Sequence, residues 1–503
     1  MFRKGLFGLD NKVIILLSLF FFSMIFKLIF RVDYLEDYDA IDFAFALKEF
    51  DLSAYKPHFP GYPVYIFFGR VINYFISDET LSLTIVNIIF GSLCPVVVYL
   101  IALTLFDKAT ALLSAAMIIA NPSIAILSNS VNSDVPALFF LLLFLYFIIL
   151  SDRHTEKRIP CMFLAGLFFG VTLGVRVSYV PFIVLWIVFS KLFKLFKLKD
   201  YEGLHADDNT FILASVGLVL GVALWALPLL YVVGVKDYYY EGIKFVNGHF
   251  NDWGGTYVTD PSLVMRVKKF VWQLFAKGLG VYSFDTSFVR LVPSAIYIIA
   301  LFSWVKRRKL EVGSFNAKIF LLYVLPYLIW IFFAQNLEKV RHVLPVIPIF
   351  IIYISAAIIN ISNKKYRNVV IAALLTLIFI DTSVLLNEHK TTPPPPYQVM
   401  QYVRGVDIDG ESILYCGEAS RFFEYYYPNY FFKRVKTAKE VIEDLDGMIT
   451  EPKNIYIVST VSGVEELDVN KEISFKRSRY IYNPFNSVSL YKLNRESINL
   501  LEF

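Results

Sequence analysis

The sequence predicts a polytopic α-helical membrane fold of about eleven spans that ends in a small extracytoplasmic α/β domain. Three observations carry this prediction. Of 503 residues, 57% are hydrophobic and 18% are charged, against an apolar share of roughly 45–50% in soluble domains. The apolar residues are gathered into runs of about twenty, the length that crosses a hydrocarbon core about 30 Å thick. After the run Thr391-Thr392-Pro393-Pro394-Pro395-Pro396 the composition turns polar, which separates a membrane domain at 1–390 from a second domain at 397–503. A soluble enzyme is excluded.

The runs fall at about 12–31, 79–106, 109–128, 132–151, 159–177, 179–198, 209–234, 285–305, 316–334, 341–360 and 367–387. The first, Val13 to Phe30, has the length of a span and lacks a small-residue cleavage site, so it reads as a retained anchor. With the N-terminus inside, the cytoplasmic turns carry Arg3, Lys4 and Lys12; Arg153, Lys157 and Arg158; Lys191, Lys194, Lys197 and Lys199; Lys306, Arg307, Arg308 and Lys309; and Lys364, Lys365 and Arg367. Every basic cluster then lies on one side, as the positive-inside rule requires. The expected location is a plasma or inner membrane, N-terminus cytoplasmic and C-terminal domain outside. Two long connections, about 32–78 and 235–284, also face out.

In the tail, Ser412–Tyr415, Asn454–Val458 and Ser487–Tyr491 read as short strands, and Ala438, Val441, Ile442 and Leu445 recur at helical spacing. The three cysteines form no C-x-x-C pair, so neither a metal knuckle nor a structural disulfide is expected. The formal charge of +5 is spread over short loops and leaves no continuous patch for nucleic acid. Membrane lipids are the expected surroundings, and no internal repeat is visible.

The first outer connection is the most informative. From Ala40 on, Phe43, Ala44, Leu47 and Phe50 fall on one helical face, which describes a short amphipathic helix at the membrane surface. Asp37 or Asp39 stands where an N-cap belongs. Lys56-Pro57-His58-Phe59-Pro60-Gly61-Tyr62-Pro63 follows, and its prolines and glycine specify a rigid, non-helical backbone. Such backbone at membrane depth lines a cavity or is buried in protein.

The pattern of Asp39, Phe43 and Ala44 followed by His58, Pro60, Gly61, Tyr62 and Pro63 resembles the first outer loop of GT-C-fold glycosyltransferases, the superfamily of protein O-mannosyltransferases and lipid A aminoarabinose transferases. It is most similar to the bacterial family-39-like branch. Asn132-Ser133-Asp134-Val135-Pro136 resembles the second acidic site of that family. Leu173 to Tyr179 resembles its G-x-R-x-S-Y segment around Arg176, and Lys339-Val340-Arg341-His342-Val343-Leu344-Pro345 resembles its R-x-x-L-P entry to a late span. The topology, read from loop charges alone, puts Asp39, His58, Asp134, Arg176, Lys339 and Arg341 all at outer ends of spans.

The resemblance implies a GT-C-like catalytic domain and an inverting glycosyltransferase. Such an enzyme moves a hexose or pentose from a polyprenyl-phosphate donor to an extracytoplasmic acceptor hydroxyl on protein, lipid or glycan. Asp39 fits the general base, with Asp134 supporting the acceptor or the geometry of Asp39. Arg176, Arg341 and Lys339, with His58, fit the departing phosphate, and the arginines are favoured because only they offer a bidentate fork. His249 and Trp253, in an aromatic and polar stretch of the second outer connection, suit a sugar face. No cofactor is expected. Asp37, Asp39, Asp134 and His249 are the donors a divalent ion would use, as in oligosaccharyltransferases, but no dense ligand spacing argues for one. The competing readings are a transporter or flippase of lipid-linked sugars, which would carry ionisable residues at mid-depth, and a non-catalytic glycan-assembly protein.

Overall fold

A computed structural model of the chain describes residues 11–182, 208–307, 323–406, 412–448, 452–478 and 486–494. It divides into two compact units. The first holds Met1–Asp33 and Ala46–Asn387, and the second holds Tyr34–Phe45 with Glu388–Phe503.

The first unit is helical. In chain order it contains α1 (Asn11–Ile29), the end of α2 (Tyr38–Lys48), α3 (Pro63–Ile76), α4 (Glu79–Leu105), α5 (Lys108–Ile119), α6 (Pro122–Asn129), α7 (Asp134–Arg153) and α8 (Arg158–Val175). These are followed by α9 (Asp208–Val233), α10 (Val235–Gly248), α11 (Leu263–Val271), α12 (Leu291–Arg307), α13 (Leu325–Ala334), α14 (Ile347–Ile359) and α15 (Lys364–Thr391). Among the described residues, seven helices are long and apolar enough to cross a membrane, and α5 with α6, bent by 52° at their break, makes an eighth if counted as one span. Shorter apolar helices occur at Pro63–Ile76, Phe288–Phe302 and Leu325–Ala334. The chain is a multi-pass membrane protein. Of the expected spans, 179–198 lies almost wholly outside the described residues, and 316–334 is described only from 323.

Local chemistry sets the breaks. The Asp78 carboxylate accepts from the Leu81 N–H, Asp107 from Thr110, and Asn121 from Ile124, so each helix start satisfies an otherwise orphan donor. Pro122 follows Asn121 at the first helical position, where its missing N–H is harmless. It ends α5 and redirects the chain.

Helices α8 and α9 pack backbone to backbone. A Cβ on Gly166 would stand 1.9 Å from the Ala214 carbonyl oxygen, and one on Gly221 would stand 2.3 Å from that of Leu167. Gly166 and Gly170 face Gly217 and Gly221 in the small-xxx-small arrangement that lets membrane helices touch. The Trp225 indole N–H donates to the Gly170 carbonyl at 2.8 Å. This contact fixes the end of α8, and Arg176 is the next residue.

In the second unit, α16 (Pro395–Val406), α17 (Ser420–Tyr426) and α18 (Ala438–Asp446) pack on a five-stranded sheet of β1 (Ile413–Tyr415), β2 (Phe432–Lys433), β3 (Ile455–Val458), β4 (Val469–Lys476) and β5 (Ser487–Leu493), in the order β2-β1-β3-β5-β4. Strands β2, β1 and β3 are parallel, and β5 is antiparallel to both β3 and β4. One face buries Ile413, Tyr415 and Ile457 under Val441 and Ile442 of α18. The other buries Leu414, Tyr456 and Val458 under Val399, Val403 and Phe423. With helices on both faces, β1 and β3 are buried at every position and read as apolar runs without alternation.

Three local expectations differ from the structure. The amphipathic helix begins at Tyr38 and ends before Phe50. Ala40, Ile41, Phe43, Ala44, Ala46 and Leu47 are all buried, so it is enclosed rather than half-exposed at a surface. The backbone is irregular through His58 and Pro60, but Pro63 starts a helix, since proline is tolerated and pre-organised there. The linker Thr391–Pro396 is helical at both ends, because α15 runs to Thr391 and α16 opens at Pro395.

Candidate functional site: a buried cationic cluster

Asp134 opens α7 and is fully buried. The Asn132 side-chain oxygen accepts from the Asp134 and Val135 N–H groups at 3.0 and 3.3 Å, so Asn132 caps the helix and the Asp134 carboxylate is spared that task. One of its oxygens lies 3.2 Å from an Arg176 nitrogen and 4.0 Å from the Arg341 Nε. Among the described residues neither Asp134 oxygen accepts a hydrogen bond of good geometry. Arg176 also donates to the Ser133 hydroxyl at 3.1 Å and lies over the Tyr179 ring at 6.0 Å. Buried Tyr65 is within Coulombic reach of Asp134.

More basic side chains stand near this pair. His342, also buried, is within electrostatic reach of Arg176, Arg341, Lys339 and His249. His249 in turn senses Lys339 and Arg176. The Asp134 carboxylate therefore faces Arg176 and Arg341, and Lys339, His249 and His342 stand within electrostatic reach of that arginine pair or of each other. Burial holds the His249 imidazole below the ordinary histidine range; Lys339 and Arg176 push the same way, against the pull of the Ala334 carbonyl.

An aromatic wall continues from the cluster. His58 Nε2 lies 2.9 Å from the Tyr62 hydroxyl, and Tyr62 is within reach of Arg176. The His58 ring stacks on Phe245 at 6.0 Å, Phe245 stacks on His249 at 6.4 Å, and Trp253 stands edge-on to both Phe245 and His249 at 5.0 and 5.4 Å. Gly61 and Pro60 are buried at the foot of this wall. Gly61 has φ of 92°, and a Cβ there would meet Phe50 at 3.1 Å and Leu52 at 3.2 Å, so both its conformation and its space require glycine.

The position of Lys339 and Arg341 is set by a grip on the end of α13. The last carbonyls of a helix lack intrahelical partners. Here Phe332 O accepts from Arg266 Nε at 3.0 Å, Phe333 O from the Tyr257 N–H at 2.9 Å, and Gln335 O from an Arg266 terminal nitrogen at 3.1 Å. The His249 ring lies 3.0 Å from Ala334 O, and Gln273 donates to Glu338 O at 2.7 Å. Arg266, fully buried, also donates to Gly255 O at 2.9 Å. A cation at a helix C-terminus also complements the macrodipole. The segment 249–273 is thereby docked on the chain that delivers Lys339, Arg341 and His342.

The structure thus brings together His58, Tyr62, Asp134, Arg176, His249, Trp253, Lys339 and Arg341. Asp39 belongs to the second unit, half-buried in the first turn of α2. The cap role falls to Asp37, whose carboxylate accepts from the Ala40 N–H at 3.0 Å. Sequence reasoning did not single out Ser133, Tyr65, Arg266 or His342 as site residues. His342 stood inside the quoted motif, but nothing in its spacing separated it from a core histidine. Among the described residues no three His, Cys, Asp or Glu side chains converge as metal ligands, and the cations around Asp134 make it a poor ligand.

With this geometry in place, comparison with known proteins places the fold. Residues 56–231 match the family of dolichyl-phosphate-mannose-protein mannosyltransferases. The ArnT of Cupriavidus metallidurans, in its crystal structure bound to undecaprenyl phosphate, superposes with a TM-score of 0.61 at 11% identity, covering 95% of this chain and 97% of that one. The Archaeoglobus fulgidus oligosaccharyltransferase in complex with zinc and sulfate superposes with a TM-score of 0.52 at 16% identity, covering 88% of this chain and 67% of that one. The fold is that of the GT-C glycosyltransferases. Among curated proteins none matches the chain. The matched segment of this chain contains His58, Tyr62, Asp134 and Arg176, four of the residues gathered in the cluster.

Proposed function

We propose that the chain is an inverting glycosyltransferase that moves a sugar from a polyprenyl-phosphate donor to an acceptor hydroxyl on the extracytoplasmic face, with the N-terminus in the cytoplasm. The observation that carries this reading is the convergence of Arg176 and Arg341 on buried Asp134, with Lys339 close by. Two guanidinium groups aimed at one place offer the charge-assisted, forked contacts that a phosphate takes, so the cluster suits an anion. The match to lipid-phosphate-sugar transferases and the likeness to an ArnT that binds undecaprenyl phosphate support a lipid phosphate in that role.

In the proposed step the acceptor oxygen attacks the anomeric carbon, its proton passes to the Asp39 carboxylate, and the bond from carbon to phosphate oxygen breaks. The polyprenyl phosphate departs with the bonding pair. Arg176 and Arg341 hold its oxygens by charge-assisted hydrogen bonds, with Lys339 and His58 adding donors. Charge grows on the phosphate as the bond lengthens, so these contacts strengthen in the transition state, which is what accelerates the step. Asp134 keeps the two arginines oriented, and its oxygens are open to a hydroxyl donor from substrate. His249 and Trp253 supply the sugar-facing wall, and Pro60, Gly61 and Tyr62 hold His58 in place.

The test is donor turnover by the purified protein in liposomes supplied with polyprenyl-phosphate-linked hexose or pentose. Wild type releases polyprenyl phosphate in step with sugar transfer. Asp39→Asn folds and inserts but keeps only a residual rate, roughly 10²- to 10⁴-fold below wild type, because the amide is nearly isosteric and cannot take the proton. Full turnover by Asp39→Asn overturns the base assignment, and intact donor with wild type overturns the transferase reading.

A further inference from the structure

The sheet-bearing unit includes Tyr34–Phe45, and therefore the helix that carries Asp39. Three residues of α2 at helical spacing, Tyr38, Asp42 and Phe45, meet one short stretch of the C-terminal sequence. The Tyr38 hydroxyl donates to the Glu418 carbonyl, and its ring stands edge-on to Phe422 at 6.2 Å. One Asp42 oxygen accepts from Arg421 Nε at 3.2 Å and lies 3.2 Å from an Arg421 terminal nitrogen. The same guanidinium lies 4.6 Å from the Phe45 ring centre, and Phe45 is edge-on to Tyr425 at 5.3 Å.

The approach to the helix is held as well. The Leu35 N–H donates to the Tyr426 hydroxyl at 2.6 Å, the Tyr34 hydroxyl donates to the His389 carbonyl, and Glu36 pairs with the His389 ring. Glu418 through Tyr426 follow β1 directly, so the contacts to them rest on the buried sheet rather than on a free loop, while those to His389 rest on the last turn of α15. Asp42 is 6% exposed and Arg421 is 19% exposed in its side chain. A pair this enclosed orients its partners more firmly than a surface ion pair.

We infer that the C-terminal unit acts as a positioning element for the proposed base, with Arg421 and Tyr38 fixing the rotation of α2 and so the direction of the Asp39 carboxylate. The inference rests on the base role proposed for Asp39. Asp39 sits one residue round from the docked face. On a helix whose side chains reach about 5 Å from the axis, a rotation of about 10° displaces a group by about 1 Å, and a misplacement of that size lowers a rate by about a hundred-fold. Arg421 acts through Asp39 and touches no substrate.

The experiment uses the full chain in liposomes with polyprenyl-phosphate sugar. Arg421→Ala is expected to lower kcat by roughly ten- to a hundred-fold with the donor KM unchanged, and to speed amide hydrogen exchange across 34–45. Arg421→Lys recovers part of the rate. Arg421→Ala placed on Asp39→Asn lowers the residual single-turnover rate no further, because a group acting through Asp39 has nothing left to position. An unchanged kcat, unchanged exchange at 34–45, or an equal fractional loss in the Asp39→Asn background overturns the inference. Donor that stays intact with wild type overturns the transferase reading instead, and the two failures are thereby told apart.

Discussion

The pair formed by Asp134 and Arg176 gives opposite signs in two measurements on the same variants. Asp134 is fully buried and Arg176 nearly so, 3.2 Å apart, so removing either partner leaves an uncompensated charge at a cost of about 3–5 kcal/mol. Arg176→Gln should fall at the low end, since Arg341 still stands 4.0 Å from the carboxylate. The double variant Asp134→Asn/Arg176→Gln buries no unpaired charge at this contact and should be more stable than either single variant. Binding of an anion separates the two residues. Losing Arg176 removes a charged hydrogen bond worth about 1.5–3 kcal/mol and weakens the donor by roughly ten- to a hundred-fold. Losing Asp134 removes a buried negative neighbour of both arginines and tightens binding of the same donor. Thermal unfolding in nanodiscs reads stability, and titration of the reconstituted protein with polyprenyl phosphate reads affinity. The reasoning is refuted if Arg176→Gln binds as wild type does, or if Asp134→Asn weakens binding as much as Arg176→Gln.

Three further outcomes are expected. Arg266→Ala strips donors from Phe332, Gly255 and Gln335 carbonyls at a buried position; at about 1–3 kcal/mol for each unsatisfied group it should lower the unfolding temperature by several degrees and raise hydrogen exchange across 332–342. His249 is held below its ordinary value by burial, so its neutral form stabilises the fold fully above about pH 6.5, and that stability is lost as pH falls through the folded value. The fall in unfolding temperature between pH 7.5 and 5 should be shallower in His249→Gln, and equal slopes would remove His249 as its source. For topology, Lys439 is 74% exposed in its side chain and the three native cysteines are buried. An impermeant maleimide should therefore label Lys439→Cys but not Lys365→Cys in intact cells, and the reverse pattern would invert the proposed orientation.

The sequence made the membrane fold legible because spans and sidedness rest on local quantities, namely run length and loop charge. Strands β1, β3 and β5 and helix α18 were legible for the same reason: Ile413–Tyr415, Ile455–Val458 and Ala438–Asp446 carry their own periodicity or apolar run. Strand β4 was not. Its sequence, VNKEISFK, is mostly exposed on an edge, so burial wrote little into it. The cationic residues were legible as motifs, but their mutual distances depend on packing between helices far apart in sequence. The allegiance of α2 was hidden most deeply. Asp42 looked like one more acid in an acidic stretch, and only its partner Arg421, 379 positions away, gives it a task.

The two sides of the cluster are held by different kinds of contact. At α8 and α9 the contacts are glycine against backbone, which sets the height of Arg176 rigidly and without charge. On the other side, Lys339 and Arg341 follow a helix end gripped by hydrogen bonds to its carbonyls from Tyr257, Arg266, His249 and Gln273. Hydrogen bonds to carbonyls exchange more readily with water than interlocked helices separate. The cluster is therefore under electrostatic load on its hydrogen-bonded side, where Arg341 repels Arg176. A phosphate placed between them removes that repulsion and should tighten the grip of 249–273 on α13. Hydrogen exchange of 332–342 should then slow on adding polyprenyl phosphate while exchange in α8 stays constant. Slowing of both by the same factor would show global stabilisation and refute a local load.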